Sequence, residues 1–81
     1  MLSKDEIAIL KYLASNNLDD PMKSKTIRNL SQLIELENLN YHRLRSMIVR
    51  LSNSGFVKKG FKEMNSNSFY ISDDGKKMIG G

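Results

Sequence analysis

Apolar residues recur at helical spacing through the first two thirds of the chain and at strand spacing through much of the last third. Ile7, Leu10, Leu13 and Ala14 lie three and four positions apart and predict a helix from Lys4 to Ser15. Ser3 and Glu6 stand in capping-box relation at its start. Ile9 and Tyr12 fall off that stripe and form a second apolar patch, a candidate surface for pairing of two copies. Asn16, Asn17, Asp19, Asp20 and Pro21 then make a loop. A second, short helix is expected after Ser24 as N-cap, with Ile27, Leu30, Leu33 and Ile34 inward and Arg28, Asn29 and Gln32 outward. Asn38 or Asn40 caps a third helix whose stripe is Leu44, Met47 or Ile48, and Leu51, and Gly55 ends it in a left-handed conformation. Beyond Gly55 the period shortens to two. Phe56 and Val57 lead into a basic arm, Phe69, Tyr70 and Ile71 form the return strand, and Met64, Asn65, Ser66 and Asn67 make a polar tip. A last short helix begins at Ser72 or Asp73 and packs back through Met78 and Ile79, with Gly80 and Gly81 as an unstructured end.

Charge sharpens this picture through its position more than its total. The net charge is +4 over 81 residues. Residues 21–34 hold Lys23, Lys25 and Arg28 and no acid, and residues 38–62 hold Arg43, Arg45, Arg50, Lys58, Lys59 and Lys62 without one carboxylate. Asp5, Glu6, Asp19, Asp20, Glu35 and Glu37 lie outside these runs. A cationic run of this kind repels itself unless a polyanion faces it, so nucleic acid or an anionic surface is the indicated partner. The alternative is a merely solvated basic face.

Three helices followed by a hairpin and a short helix form an α+β, mainly α, arrangement, expected to be one domain over residues 1–81. Leu44, Ile48, Leu51, Gly55, Phe56 and Val57 match the recognition-helix core and strand exit of winged helix-turn-helix proteins. Phe69, Ile71, Ser72, Gly75 and Met78 look like the strand-to-helix signature of MarR-like and PadR-like regulators. The chain therefore resembles the winged helix-turn-helix family over almost its whole length, with three helices, a two-stranded β-hairpin wing and a short C-terminal helix. The resemblance implies double-stranded DNA as partner, with the third helix in the major groove and the wing on the minor groove or backbone. With the apolar stripe of helix three inward, Tyr41, His42, Arg43, Arg45, Ser46 and Arg50 are left to face DNA. Arg45 or Arg43 is the expected base contact and Arg50 the phosphate contact; His42 also reads as an ordinary exposed polar residue. On the wing the expected contacts are Lys62, Asn65, Ser66 and Asn67 and one of Lys58 and Lys59, which point to opposite strand faces; Lys58 is the one carried forward. Lys25 and Arg28, with Lys23, are placed to clamp the backbone from the other side. Met64 reads as an incidental tip residue ahead of an apolar wedge.

Other chemistries find little support. The chain has no cysteine and one histidine, which removes disulfides, thiolate metal sites and cysteine nucleophiles and leaves no basis for a histidine metal cluster. Carboxylate pairs for acid–base work and a phosphate-cradling glycine loop are missing too, so no enzyme activity, cofactor or small-molecule substrate is expected. The longest apolar run, Ile7 to Leu10, is far too short to span a bilayer, and a cytoplasmic location without a membrane partner follows as an expectation. The expected function is a small sequence-specific DNA-binding protein, a transcriptional repressor or a plasmid or phage partition or transfer factor. It would act as a homodimer or as several copies on repeated sites, because one recognition helix reads only a few base pairs. The competing reading is a winged-helix protein-interaction module, or complex subunit, whose basic face takes an acidic partner.

Overall fold

The structure, a computed structural model, describes residues 2–36 and 38–80. Gly81, expected in the unstructured end, and Glu37, in the linker between helices two and three, lie outside the described residues. Helix α1 (Lys4–Ser15) opens on the expected capping box: the Glu6 N–H donates to Ser3 Oγ at 3.1 Å, and the Ser3 N–H donates to Glu6 Oε1 at 3.0 Å. A 3-10 turn (Pro21–Lys23) leads to strand β1 (Lys25–Thr26), then helix α2 (Ile27–Leu33) and helix α3 (Tyr41–Asn53). Strands β2 (Val57–Lys59) and β3 (Ser68–Ile71) and helix α4 (Asp73–Met78) follow. This is the expected winged helix-turn-helix order, an α+β fold with one further strand in its sheet.

That strand is β1, which pairs antiparallel with β3 through Lys25–Phe69 and Thr26–Ser68. The sheet therefore runs β1-β3-β2, with β3 central and Val57 opposite Ile71 on its other side. Thr26 ends the strand and caps α2, its Oγ1 accepting the Asn29 N–H at 3.1 Å. The expected cap, Ser24, instead closes the 3-10 turn by donating to the Pro21 carbonyl at 2.8 Å. Asn40 caps α3, accepting the Arg43 N–H at 2.9 Å. Gly55, at φ 84°, closes α3 in a Schellman arrangement: the Phe56 N–H reaches the Leu51 carbonyl at 2.9 Å and the Gly55 N–H reaches Ser52 at 3.1 Å.

Ile9, Leu10 and Leu13 of α1, Ile27 and Leu30 of α2, Leu44, Met47, Ile48 and Leu51 of α3, and Val57, Phe69 and Ile71 of the sheet share one core. Truncating Leu30, Leu44 or Leu51 to Ala would cost about 2–5 kcal/mol, since each is wholly enclosed. Two details of the sequence reading are corrected here. Helix α1 buries Glu6, Ile9, Leu10 and Leu13, while Ile7 and Ala14 are only partly buried, so its inward stripe is rotated from the expected one. Ile9 is thus unavailable to a pairing surface. Tyr12 stays partly exposed and lines a shallow cleft with Ala8, Leu33 and Leu36. Leu33, expected inward, is 47% exposed because α2 ends there and Ile34 turns into the core in its place.

Candidate nucleic-acid interface

Helix α3 divides its surface three ways. Leu44, Met47, Ile48 and Leu51 hold it against the core. One flank, three and four residues apart along the helix, carries Tyr41, Arg45, Val49 and Ser52 and forms one wall of an open groove of about 650 Å³. The start of α2 supplies Arg28 and Asn29, β2 supplies Lys59, and the wing supplies Glu63 to Asn67. Three cations from three different elements, Arg28, Arg45 and Lys59, therefore face one space that holds a single carboxylate, Glu63. Neutral donors and acceptors from Asn29, Ser52, Asn53, Asn65, Ser66 and Asn67 fill much of the remaining wall.

The other flank of α3 faces α1. The Arg43 guanidinium donates to Asp5, and Arg50 Nε lies 3.8 Å from Glu6 Oε2. Glu6 is 1% exposed, and its Oε2 accepts no hydrogen bond and has the largely exposed Arg50 guanidinium as its ion-pair partner. The two acids at the head of α1 thus neutralise the side of α3 turned away from the groove.

Set against the expected contacts, the groove collects Tyr41, Arg45, Arg28, Asn65, Ser66 and Asn67. His42 and Ser46 are exposed on α3 outside it, with the His42 ring edge-on to Tyr41 at a centroid distance of 5.6 Å. Arg43 and Arg50 are on the α1 flank. Lys58 and Lys62 are exposed but off the groove, and Lys25 is partly buried in β1. Of the paired lysines it is Lys59 that reaches the groove, while Lys58 stands across from Tyr70 on β3. Val49, Ser52, Asn53 and Asn29 escaped the sequence reading. Their signal was present for α3, where counting by fours from Tyr41 and Arg45 leads to Val49 and Asn53.

The wing is braced at its root. A Cβ on Gly60 would lie 2.3 Å from Ser24 Oγ and 3.2 Å from the Pro21 carbonyl, so only glycine lets β2 pass this close to the 3-10 turn. Below it, Ser72 joins three elements: its Oγ donates to the Gly55 carbonyl at 2.5 Å and accepts the Gly75 N–H, and its N–H donates to the Phe56 carbonyl. Among the described residues no cluster of His, Asp or Glu is placed to hold a metal ion, and no helix is long and apolar enough to cross a membrane.

Searches for similar proteins return a fold and no family. No family model matches the chain and no curated protein does. Among solved structures the chain is similar to TubR from Bacillus megaterium pBM400, with a TM-score of 0.79 and 14% identity over 96% of this chain and 82% of that one. The likeness carries the winged-helix fold; it does not single out the MarR-like or PadR-like branch.

Proposed function

We propose that this protein is a non-enzymatic, sequence-specific double-stranded DNA-binding regulator, a repressor or a plasmid or phage partition or transfer factor. The observation that carries the reading is the convergence of Arg28, Arg45 and Lys59, from α2, α3 and β2, on one open groove between the third helix and the wing. Cations carried on separate elements can meet more than one phosphate of a duplex, and Arg45 on the outer wall of α3 can address a guanine edge with both guanidinium nitrogens. Val49, one turn further along the same wall, offers an apolar surface to a thymine methyl. The fold shared with TubR from Bacillus megaterium pBM400 is in keeping with this reading. A single α3 reads few base pairs, so the working form is a homodimer or several copies on repeated sites.

The test is fluorescence anisotropy of a labelled duplex at about 50 and 200 mM salt, where each neutralised phosphate contributes roughly 0.9 to the negative slope of log affinity against log salt. A steep slope with duplex preferred over single strands is expected. Arg45→Ala should weaken binding to a selected site by about 5- to 150-fold, for a lost contact of about 1–3 kcal/mol, and flatten the preference at one base pair. Duplex binding that fails even at low salt would reassign the groove to an acidic protein partner.

A further inference from the structure

Resting on the reading of the groove as a DNA interface, we infer that Met64 is an apolar wedge that enters the minor groove and opens a base step, so that the protein bends the duplex it binds. Three independent features of the wing support this. The first is display. Glu63 and Ser66 hold each other by two backbone hydrogen bonds of 2.9 Å, leaving Met64 and Asn65 as a two-residue tip. Met64 is there at φ 54°, a conformation a methionine side chain disfavours and glycine accepts, and it is 92% exposed. A large apolar group in that position neither packs nor suits the turn.

The second feature is aim. Between the pairs Lys59–Phe69 and Glu63–Ser66, the outgoing arm contributes residues 60–62 whereas the returning arm contributes only 67 and 68. One extra residue in one arm bends and twists a hairpin at that point. The bend follows directly on Gly60, which is seated against Ser24 and the Pro21 carbonyl. The base of the wing is therefore held, and its distal half is redirected so that Met64 lines the same groove as Arg45.

The third feature is chemistry. From Glu63 to Asn67 the tip has one carboxylate and no cation, so phosphate attraction cannot hold it. What it offers is a wedge flanked by Asn65, Ser66 and Asn67, and short neutral donors of this kind suit the adenine N3 and thymine O2 acceptors on the floor of the minor groove. Apolar side chains set among such groups separate base steps and kink the helix.

The experiment measures end-to-end energy transfer in a doubly labelled duplex of about 30 base pairs, recovered by selection with the wild-type chain, together with affinity at several salt concentrations. Wild type is expected to shorten the end-to-end distance on binding. Met64→Gly, which suits the turn, should fold with an unchanged or higher Tm, lose most of the shortening and bind about 3- to 10-fold more weakly, with the salt slope unchanged because no phosphate contact is lost. Met64→Leu should restore the bend. A wild-type complex that stays straight, or a Met64→Gly complex that bends as much as wild type, overturns the wedge while leaving the DNA-binding reading in place. Absence of duplex binding by wild type overturns both.

Discussion

Arg43 and Arg45 are two residues apart on one helix and differ in what they face. Arg45 opens on the groove, and Arg43 is engaged by Asp5 of α1. An arginine already paired at the surface has part of its charge screened before any polyanion arrives, although such a pair adds little to stability. Asp5→Asn should therefore leave Tm nearly unchanged while raising non-specific duplex affinity and steepening the salt slope by up to about 0.9, read from the same anisotropy titration. An unchanged slope would place Arg43 beyond the reach of phosphate. At this scale the sequence told only part of the site. The apolar stripes of α3 and α2 separate inside from outside, and Tyr41 and Arg45 on the one and Arg28 on the other follow from them. They cannot say which outer flank of α3 meets the wing and which meets α1, because the deciding partners, Asp5 and Glu6, are remote in the chain and enter only through tertiary packing.

Among the α-helices, α4 is the shortest, and its packing is tightly specified. A Cβ on Gly75 would fall 2.2 Å from the Phe56 carbonyl oxygen and 2.7 Å from Ile71 Cγ1, so Gly75→Ala must push the helix off β3 and the residue that leads into β2. A loss of about 2–3 kcal/mol, measured by urea unfolding, is expected from this overpacking, and a change within 0.5 kcal/mol of zero would mean that α4 is free to shift. The Ser72–Gly75 spacing that carried the family resemblance thus has a physical basis in one cap and one close approach. Legibility varied among the other elements with the clarity of their periodicity. Helix α3 was plain, since its apolar positions alternate with arginines and a capping asparagine and a terminal glycine bound it. The inward face of α1 was misread because Ile7 to Leu10 is a continuous apolar run, which has no phase, and because a glutamate occupies the buried stripe. Strand β1 left no signal: two polar-headed residues cannot show alternation, and its pairing depends wholly on β3.

Across the whole molecule the connection after α1 and the last helix are joined by charge. Lys76 Nζ of α4 lies 2.7 Å from Asp19 Oδ2 in the connection after α1. The hydrogen bond from Lys76 holds the Asp19 carboxyl below its ordinary value, and the same bond raises the Lys76 ammonium above its own. The Asp19 contribution to stability is complete above the unfolded carboxylate pKa of about 3.9 and is lost as pH falls through the lowered folded value. Thermal melts stepped down from pH 5 should thus show wild type losing Tm most steeply below about pH 4, with Asp19→Asn showing a shallower fall over the same window. Equal slopes would remove the pair from the acid response. The placement of β3 bears on how the molecule comes into being. Both other strands pair only with it, yet it is the last of the three to be synthesised, so a nascent chain already holding α1, α2 and α3 still has two strands without a partner. The groove wall that depends on Lys59 and the wing is therefore completed only once residue 71 has been translated. A chain cut short before that point would carry Arg28 and Arg45 but not the opposite wall, so under the proposed reading it would offer a duplex half a groove.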